Sequence, residues 1–321
     1  MKEHLNYTGL VLNRTNDQRR DEAWVEKHLA RKDTVILPIW RGLNLVNFDK
    51  KTARLPKGVF PIGIQAQALI TAADALIFLG LDKGTAYFAA DISTLDKANA
   101  EDWADTDIFE DLRRIGALMA REHGAVLAYA RGMVYWHQRH QFCSVCGETT
   151  QSRNGGHMLI CNNKDEAHTH FPRTDPAVIM LVEHNNPEGR GPACLLGRQK
   201  KWVDRMYSTL AGFVEPGETL EEAVAREVFE EAAIHITDIV YQASQPWPFP
   251  ASLMIGFRAR AVSTDIKVDL RELEDAQWFT VDDLQVFGEK DKKTSSKKKL
   301  PGKDSISRRL INDWLNDMTG N

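Results

Sequence analysis

Disulfide chemistry is the first thing this sequence has too little material for. It holds four cysteines in 321 residues, and three of them crowd between positions 143 and 161, a pattern for metal binding rather than for bridges in an oxidising compartment. Long apolar runs are missing as well. There is no stretch of about 18 apolar residues, and the opening MKEHLNYTGLVLNR contains no apolar segment of the length a secretory signal needs. The expectation is a cytoplasmic protein with no membrane partner. Charge of one sign is also scarce: the net charge of −4 argues against a general binder of nucleic acid or membrane surface, and points to small-molecule partners. No internal repeat is visible. What remains is ordinary, with 43% hydrophobic and 27% charged residues, near globular averages and in a chain long enough for two or three domains.

The first hundred or so residues read as short strands. TVILPIW and LNLVNF flank Arg41-Gly42, and ALIFLGL and TAYFAA flank Asp82-Lys83-Gly84, so each pair suits a hairpin in a small mixed domain. Between Asp107 and Gln138 the spacing of Leu112, Ile115, Leu118, Met119, Val126 and Leu127 suits helix, with a break expected at Gly124. After HFPRTDP, the runs AVIMLVEH and PACLLGRQ read as two buried strands joined by NNPEGRG, with Cys194 as a core residue. Residues 288–304, basic and rich in Ser, Gly and Lys, read as a solvated loop. SRRLINDWLNDM then resumes helical periodicity.

CSVCGETTQSRNGGHMLICNNKDEAHTHFP places Cys143 and Cys146 two residues apart, then Cys161 after fourteen more, then His168 and His170. A C-x2-C followed at that distance by a second ligand pair is what a tetrahedral zinc site on a small ribbon requires. Gly147 gives the turn its freedom of φ. The fourth ligand is His168 or His170; His168 is favoured because His170 abuts the aromatic-proline turn. With every position filled by protein, such a zinc is structural.

GFVEPGETLEEAVAREVFEEAAI, residues 212–234, puts carboxylates where a helix needs a core face. Thr219 with Glu222 is a capping-box pattern, so a helix is expected from Leu220 to about Ala233. Leu220, Ala223, Val224 and Ile234 share one side, Glu227 and Glu231 fall within about 20° of its centre, and Glu230 lies just off it. Three carboxylates on an inward face repel one another and raise each other's pKa unless a cation neutralises them. Oxygen ligands at this spacing suit Mg²⁺ or Mn²⁺.

The same stretch resembles the Nudix box, G-x5-E-x7-R-E-U-x-E-E-x-G-U, at Gly212, Glu218, Arg226, Glu227, Val228, Glu230, Glu231 and Ile234. Ala233 stands where the family has glycine, at a cost of order 1 kcal/mol if the helix exit needs φ above zero. The resemblance implies an α+β protein: a Nudix α/β/α sandwich over residues 173–321, preceded by a zinc ribbon at 137–172 and a small mixed N-terminal domain at 1–136. It further implies that Glu227, Glu230 and Glu231 are divalent-metal ligands, with the Ala211 carbonyl beside them. Glu272 is implied to be a further ligand or a water-orienting base, and Arg226 with Glu218 a structural salt bridge.

SQPWPFPAS, residues 244–252, interleaves three prolines with Trp247 and Phe249. This makes a stiff segment that presents flat apolar groups at little entropic cost. It is similar to the pattern that marks the NADH pyrophosphatases among Nudix enzymes, and the ribbon and HFPRTDP resemble the same family. That resemblance covers about residues 137–318 and matches the N-terminal part only loosely. By it, Gln245, Pro246, Trp247, Pro248, Phe249, Pro250, Ala251 and Ser252, together with Phe171, Phe213 and Ser307, are substrate-binding. The implied reaction is cleavage of NADH, and of NAD⁺, to AMP and the corresponding nicotinamide mononucleotide. A homodimer and removal of NAD caps from RNA are implied as well. ADP-ribose or a dinucleoside polyphosphate is the rival substrate, and a zinc-ribbon nucleic-acid binder the rival class.

Overall fold

A computed structural model describes residues 5–48, 55–104, 107–187, 189–289 and 297–320. It divides into two compact units: residues 6–174 with 247–251 form the N-terminal unit, and residues 175–246 and 252–321, together with residues 1–5, the C-terminal one.

The N-terminal unit is built on a six-stranded sheet. Val35–Trp40 turns back into Leu43–Asn47, and Ala75–Asp82 into Thr85–Asp91, as antiparallel hairpins. Both turns place two residues at positive φ, Arg41 at 49° and Gly42 at 76°, Lys83 at 48° and Gly84 at 87°, the twist that two-residue hairpin loops need. The sequence reading of this region as strands alone omits three helices, Glu22–Leu29, Gly63–Ala72 and Lys97–Ala104. The first is announced by Asp21, whose carboxylate accepts from Trp24 N at 3.2 Å. A further correction concerns Gly124, which lies buried inside the unbroken helix Arg121–Arg139. The break comes earlier, where the 3₁₀ turn Gly116–Leu118 ends and Met119 turns extended. Gly116 is the glycine that packing demands, because a Cβ there would stand 2.0 Å from the Tyr7 hydroxyl.

The ribbon hairpin belongs to this unit, with Thr150–Arg153, Met158–Cys161 and Thr169–His170 forming a three-stranded antiparallel sheet. Gly147, after the first cysteine pair, has φ of 79°.

The C-terminal unit is a mixed sheet between helices. Its central strand Asp175–His184 runs parallel to Ser252–Ala261 and antiparallel to Ala193–Arg198 and Leu210–Phe213, with Ile236–Trp247 and Asp275–Thr280 at the edges. Alternation on the central strand serves both faces. Val178, Met180 and Val182 pack with Ala223, Val224, Val228 and Ala232 of the helix Leu220–Ala232. Ile179 and Leu181 pack on the other side with Cys194 and with Leu310, Ile311 and Trp314 of the helix Ile306–Thr319. Of the basic stretch read as a solvated loop, residues 290–296 lie outside the described residues, while Lys299 bridges to Met206 and Gly288.

Candidate active site

The glutamate helix starts and stops as its sequence requires. Thr219 Oγ1 accepts from Glu222 N at 3.2 Å, and Glu222 Oε2 accepts from Thr219 N at 2.7 Å. At the other end Ala233 takes the left-handed conformation, φ 55° and ψ 28°, while its N–H still bonds Phe229 O at 2.7 Å. Between these caps, Glu227 is 8% exposed and Glu231 2%. Glu230 departs from the expected inward face, since its side chain is 54% exposed.

Glycine at 212 is what lets Glu227 in: a Cβ there would fall 1.8 Å from the Glu227 carboxyl carbon. Arg226 then organises the acids around itself. It grips Glu218 through Nε at 2.5 Å and Nη2 at 2.9 Å, and reaches Phe213 O, Glu227 and Glu230 at 2.9 Å each. The Arg226 bond, with help from Glu215 N, holds the Glu218 carboxyl down to about 2. Glu231 receives no such help. Burial first, and then the charges of Glu227 and Glu272, push its carboxyl up to about 8 against a hydrogen bond from the Ala211 backbone. Burial likewise raises Glu227, against its bond from Arg226. Glu231 Oε2 is buried without a hydrogen-bond partner, a costly state for a carboxylate. A divalent cation would relieve it, so the donor set fits a hard metal ion.

Glu272 is brought to the acids by the end of the helix. Lys267 N and Asp269 N bond the carbonyls of Ala232 and Glu231 at 2.9 and 3.1 Å, satisfying last-turn acceptors that a helix leaves open. The turn that follows carries Glu272, exposed and within electrostatic reach of Glu227 and Glu231.

The residues expected to hold zinc form the one group of three or more His, Cys or acidic donors among the described residues that converges. Atoms of Cys143, Cys146, Cys161 and His168 all lie within 4.8 Å of one another. His170 Nε2 also touches Cys143 Sγ, at 3.3 Å. Burial raises the Cys143 thiol, but the backbone groups of Cys146 and Val145 outweigh it and bring it down to about 6, towards the thiolate that zinc takes.

The residues of 244–252 are divided in their surroundings. Gln245 is fully buried, and its amide is spent on the chain: Nε2 donates to Asp304 O at 2.6 Å and Oε1 accepts from Ile306 N at 2.8 Å. Trp247 and Phe249 pack on the N-terminal unit, where Tyr7 meets them edge-on at 5.9 and 5.6 Å and Arg131 lies 4.9 Å over the Phe249 ring. Pro246 precedes this turn, Pro248, Pro250 and Ala251 form it, and Ser252 then pairs with Asp175. Ser307 is 3% exposed, with its hydroxyl bonded to Ser208, Thr209 Oγ1 and Thr209 N at 2.8, 2.8 and 3.2 Å. Phe171 and Phe213, by contrast, are each 60% exposed. Sequence reasoning missed Tyr7 and Arg131 as partners of the motif aromatics, because neither residue carries a local signal.

Comparison with known protein families covers most of residues 33–301 in three pieces. Residues 173–301 match the NUDIX domain, residues 138–169 the NADH pyrophosphatase zinc ribbon domain, and residues 33–136 the NADH pyrophosphatase-like rudimentary NUDIX domain. The last match extends the family likeness to the N-terminal region, where sequence motifs alone suggest it only loosely. Among curated proteins the chain is 43% identical over 203 residues to the NAD-capped RNA hydrolase NUDT12 of Homo sapiens, covering 61% of this chain and 43% of that one. It therefore spans less than half of that relative. It is 40% identical to the NAD-capped RNA hydrolase NudC of Pseudomonas syringae pv. tomato, over 61% of this chain and 63% of that one. It is 34% identical to the NAD-capped RNA hydrolase NudC of Mycobacterium bovis, over 86% of this chain and 87% of that one. With a relative matched over 86% of this chain and 87% of its own, and with three family models matched in succession along the chain, the chain belongs to the zinc-ribbon-containing NADH pyrophosphatase family of Nudix hydrolases.

Proposed function

We propose that the chain hydrolyses the pyrophosphate bond of NADH and NAD⁺, giving AMP and the reduced or oxidised nicotinamide mononucleotide, and that it also removes NAD caps from RNA. The observation that carries this reading is the buried pair Glu227 and Glu231, with one Glu231 oxygen left without a partner on the box helix. Glu227, Glu230, Glu231 and Glu272, with the Ala211 carbonyl, would hold Mg²⁺ or Mn²⁺. Bound there, such an ion lowers the pKa of water and polarises a phosphoryl oxygen for in-line attack on phosphorus.

The protein's own residues set up that chemistry. Arg226 keeps Glu218 ionised and holds the loop after Gly212 against the helix. Glu272, on an exposed turn, would act either as a further metal ligand or as the base that orients a water and takes its proton. Phe171 and Phe213 offer exposed ring faces for stacking on a heterocycle. Trp247 and Phe249 hold their segment stiff through Tyr7 and Arg131. Gln245 and Ser307 belong to this reading as residues that position backbone, since their polar atoms are already engaged. A homodimer and a cytoplasmic setting go with the same reading. Among the described residues no helix is long and apolar enough to cross a membrane.

Product analysis tests the proposal. Incubation with NADH and Mn²⁺ yields AMP and reduced nicotinamide mononucleotide in equal amounts. Intact NADH, or release of nicotinamide with ADP-ribose, contradicts it.

A further inference from the structure

Two basic stretches far apart in the sequence meet on the C-terminal unit. Lys299 N donates to Arg205 O at 2.8 Å and Tyr207 N donates to Lys299 O at 3.0 Å, which ties the stretch ending in Lys299 to the end of the loop 199–206. Lys200, Lys201, Arg205 and Lys297 are exposed. Among the described residues, neither Lys200, Lys201, Lys297 nor Lys299 pairs with a carboxylate, and the acid within the loop, Asp204, is 82% exposed and 3.6 Å from Arg205. Trp202 sits half-buried directly after the two lysines. A cavity of about 470 Å³ opens at the same edge, walled by Lys297, Lys298, Gln277, Phe287 and the pair Arg190–Asp283, whose charges meet at 3.1 Å. Inside it the Lys298 ammonium lies 4.5 Å over the Phe279 ring and bonds Gln277 Oε1 at 2.6 Å.

This surface begins beside the acidic cluster. Arg198, where the loop leaves its strand, bonds the Glu274 carboxylate at 2.7 Å and accepts from Glu274 N at 2.7 Å. Glu272 is two residues upstream of Glu274 in the same turn.

We propose that the loop 199–206 and Lys297–Lys299 form the binding surface for the single-stranded RNA body that follows an NAD cap, an inference that rests on the capped-RNA part of the proposed function. Cations beside a half-exposed aromatic ring suit a strand with unstacked bases: phosphates meet lysine and a base stacks on the open part of Trp202. Paired RNA keeps its bases stacked inside the helix and gains nothing from that ring. The overall charge of −4 does not oppose this, because counterion release depends on local phosphate contacts. Free NADH has no chain beyond its diphosphate and does not need the surface.

The test uses the full chain, the Lys200→Glu/Lys201→Glu double variant and Trp202→Ala, with three probes. These are NADH, a single-stranded RNA of about 20 nucleotides carrying a 5′ NAD, and the same RNA with a 5′ monophosphate. The double variant is expected to cleave NADH at the unmutated rate and to lose roughly tenfold or more in kcat/KM on capped RNA. Its salt slope for RNA should fall by about 1.4, two contacts at about 0.7 each. Trp202→Ala should weaken RNA cleavage with the slope unchanged. Equal cleavage of capped RNA by the double variant and the unmutated chain overturns the surface. Should the double variant not fold, the unmutated chain decides, because RNA decapping that is flat between about 50 and about 200 mM salt overturns it too. Absence of NADH cleavage by the unmutated chain overturns the parent reading instead. Affinity for the monophosphate RNA then judges the surface alone: weakened by the double variant it stands, unchanged it falls.

Discussion

Glu231 bears the largest electrostatic burden among the acids of the box helix, being 2% exposed, flanked by like charges and missing a partner at Oε2. Its place in the fold is therefore not explained by stability. Glu231→Gln keeps the shape, removes the charge and is expected to lower kcat by at least about 100-fold. In metal-free protein the melting temperature should stay level or rise, because the cost of burying an ionisable carboxyl, which holds its proton up to about 8, is removed. Steady-state kinetics beside a melting curve check both; a fall in stability that matches the fall in rate would make Glu231 a structural residue. The helical phase made Glu227 and Glu231 legible in the sequence, but it over-reached at Glu230, whose stem swings out to Arg226 Nη1 at 2.9 Å. Phase locates a Cβ on one face of a helix. It does not say where a long side chain ends. Gly212 is legible as a motif letter only, since its reason is the Glu227 carboxyl in the space a Cβ would fill.

At the scale of elements, the box helix was readable at both ends, because the capping box and the Ala233 exit are local chemistry. Ala233 at φ 55° does work that glycine does without strain. Ala233→Gly is accordingly expected to stabilise the protein by about 1 kcal/mol, with NADH turnover unchanged. Chemical denaturation measures it, and a loss of stability would show that something other than backbone strain governs this exit. The two hairpins were equally readable from Arg41-Gly42 and Lys83-Gly84. The helix break was misplaced at Gly124 for a tertiary reason. Which glycine matters depends on where Tyr7 packs, and Tyr7 lies more than a hundred positions from Gly116 in the chain. The three unread helices of the N-terminal unit are short, 8, 10 and 8 residues, and a window that finds apolar alternation in the adjoining strands passes over them.

For the whole molecule, the motif 244–252 illustrates what a linear reading cannot separate. Its residues look like one binding segment, yet Gln245 is anchored to Asp304 and Ile306 while Trp247 and Phe249 are anchored to Tyr7 and Arg131. The zinc ribbon, by contrast, was legible because cysteine spacing is itself geometry. Verified removal of zinc with a chelator is expected to lower the melting temperature and, indirectly, NADH turnover, because ligand binding and folding of so small a segment are one event. A protein equally stable and active without zinc would contradict the structural role.

Acid sensitivity should arise in the N-terminal unit. His157 is 8% exposed, its Nε2 is 2.7 Å from Phe78 O, and burial pushes its imidazole down to about 4 despite that bond. The unfolded chain takes up the proton near the ordinary value of about 6.5, so between there and about 4 it binds more protons than the folded one. Stability is therefore full above that window and falls with pH through it, by about 3 kcal/mol at the limit. Denaturation curves at stepped pH should show this slope flattened in His157→Gln. An unchanged slope would place the acid sensitivity elsewhere.

The central claim is that buried acids on the box helix hold a divalent ion. Mn²⁺ binding measured by calorimetry on the zinc-loaded protein and on Glu231→Gln tests it most directly. The account predicts binding by the unmutated chain that weakens by at least about 100-fold in the folded variant. Equal Mn²⁺ affinity in the two proteins would contradict it.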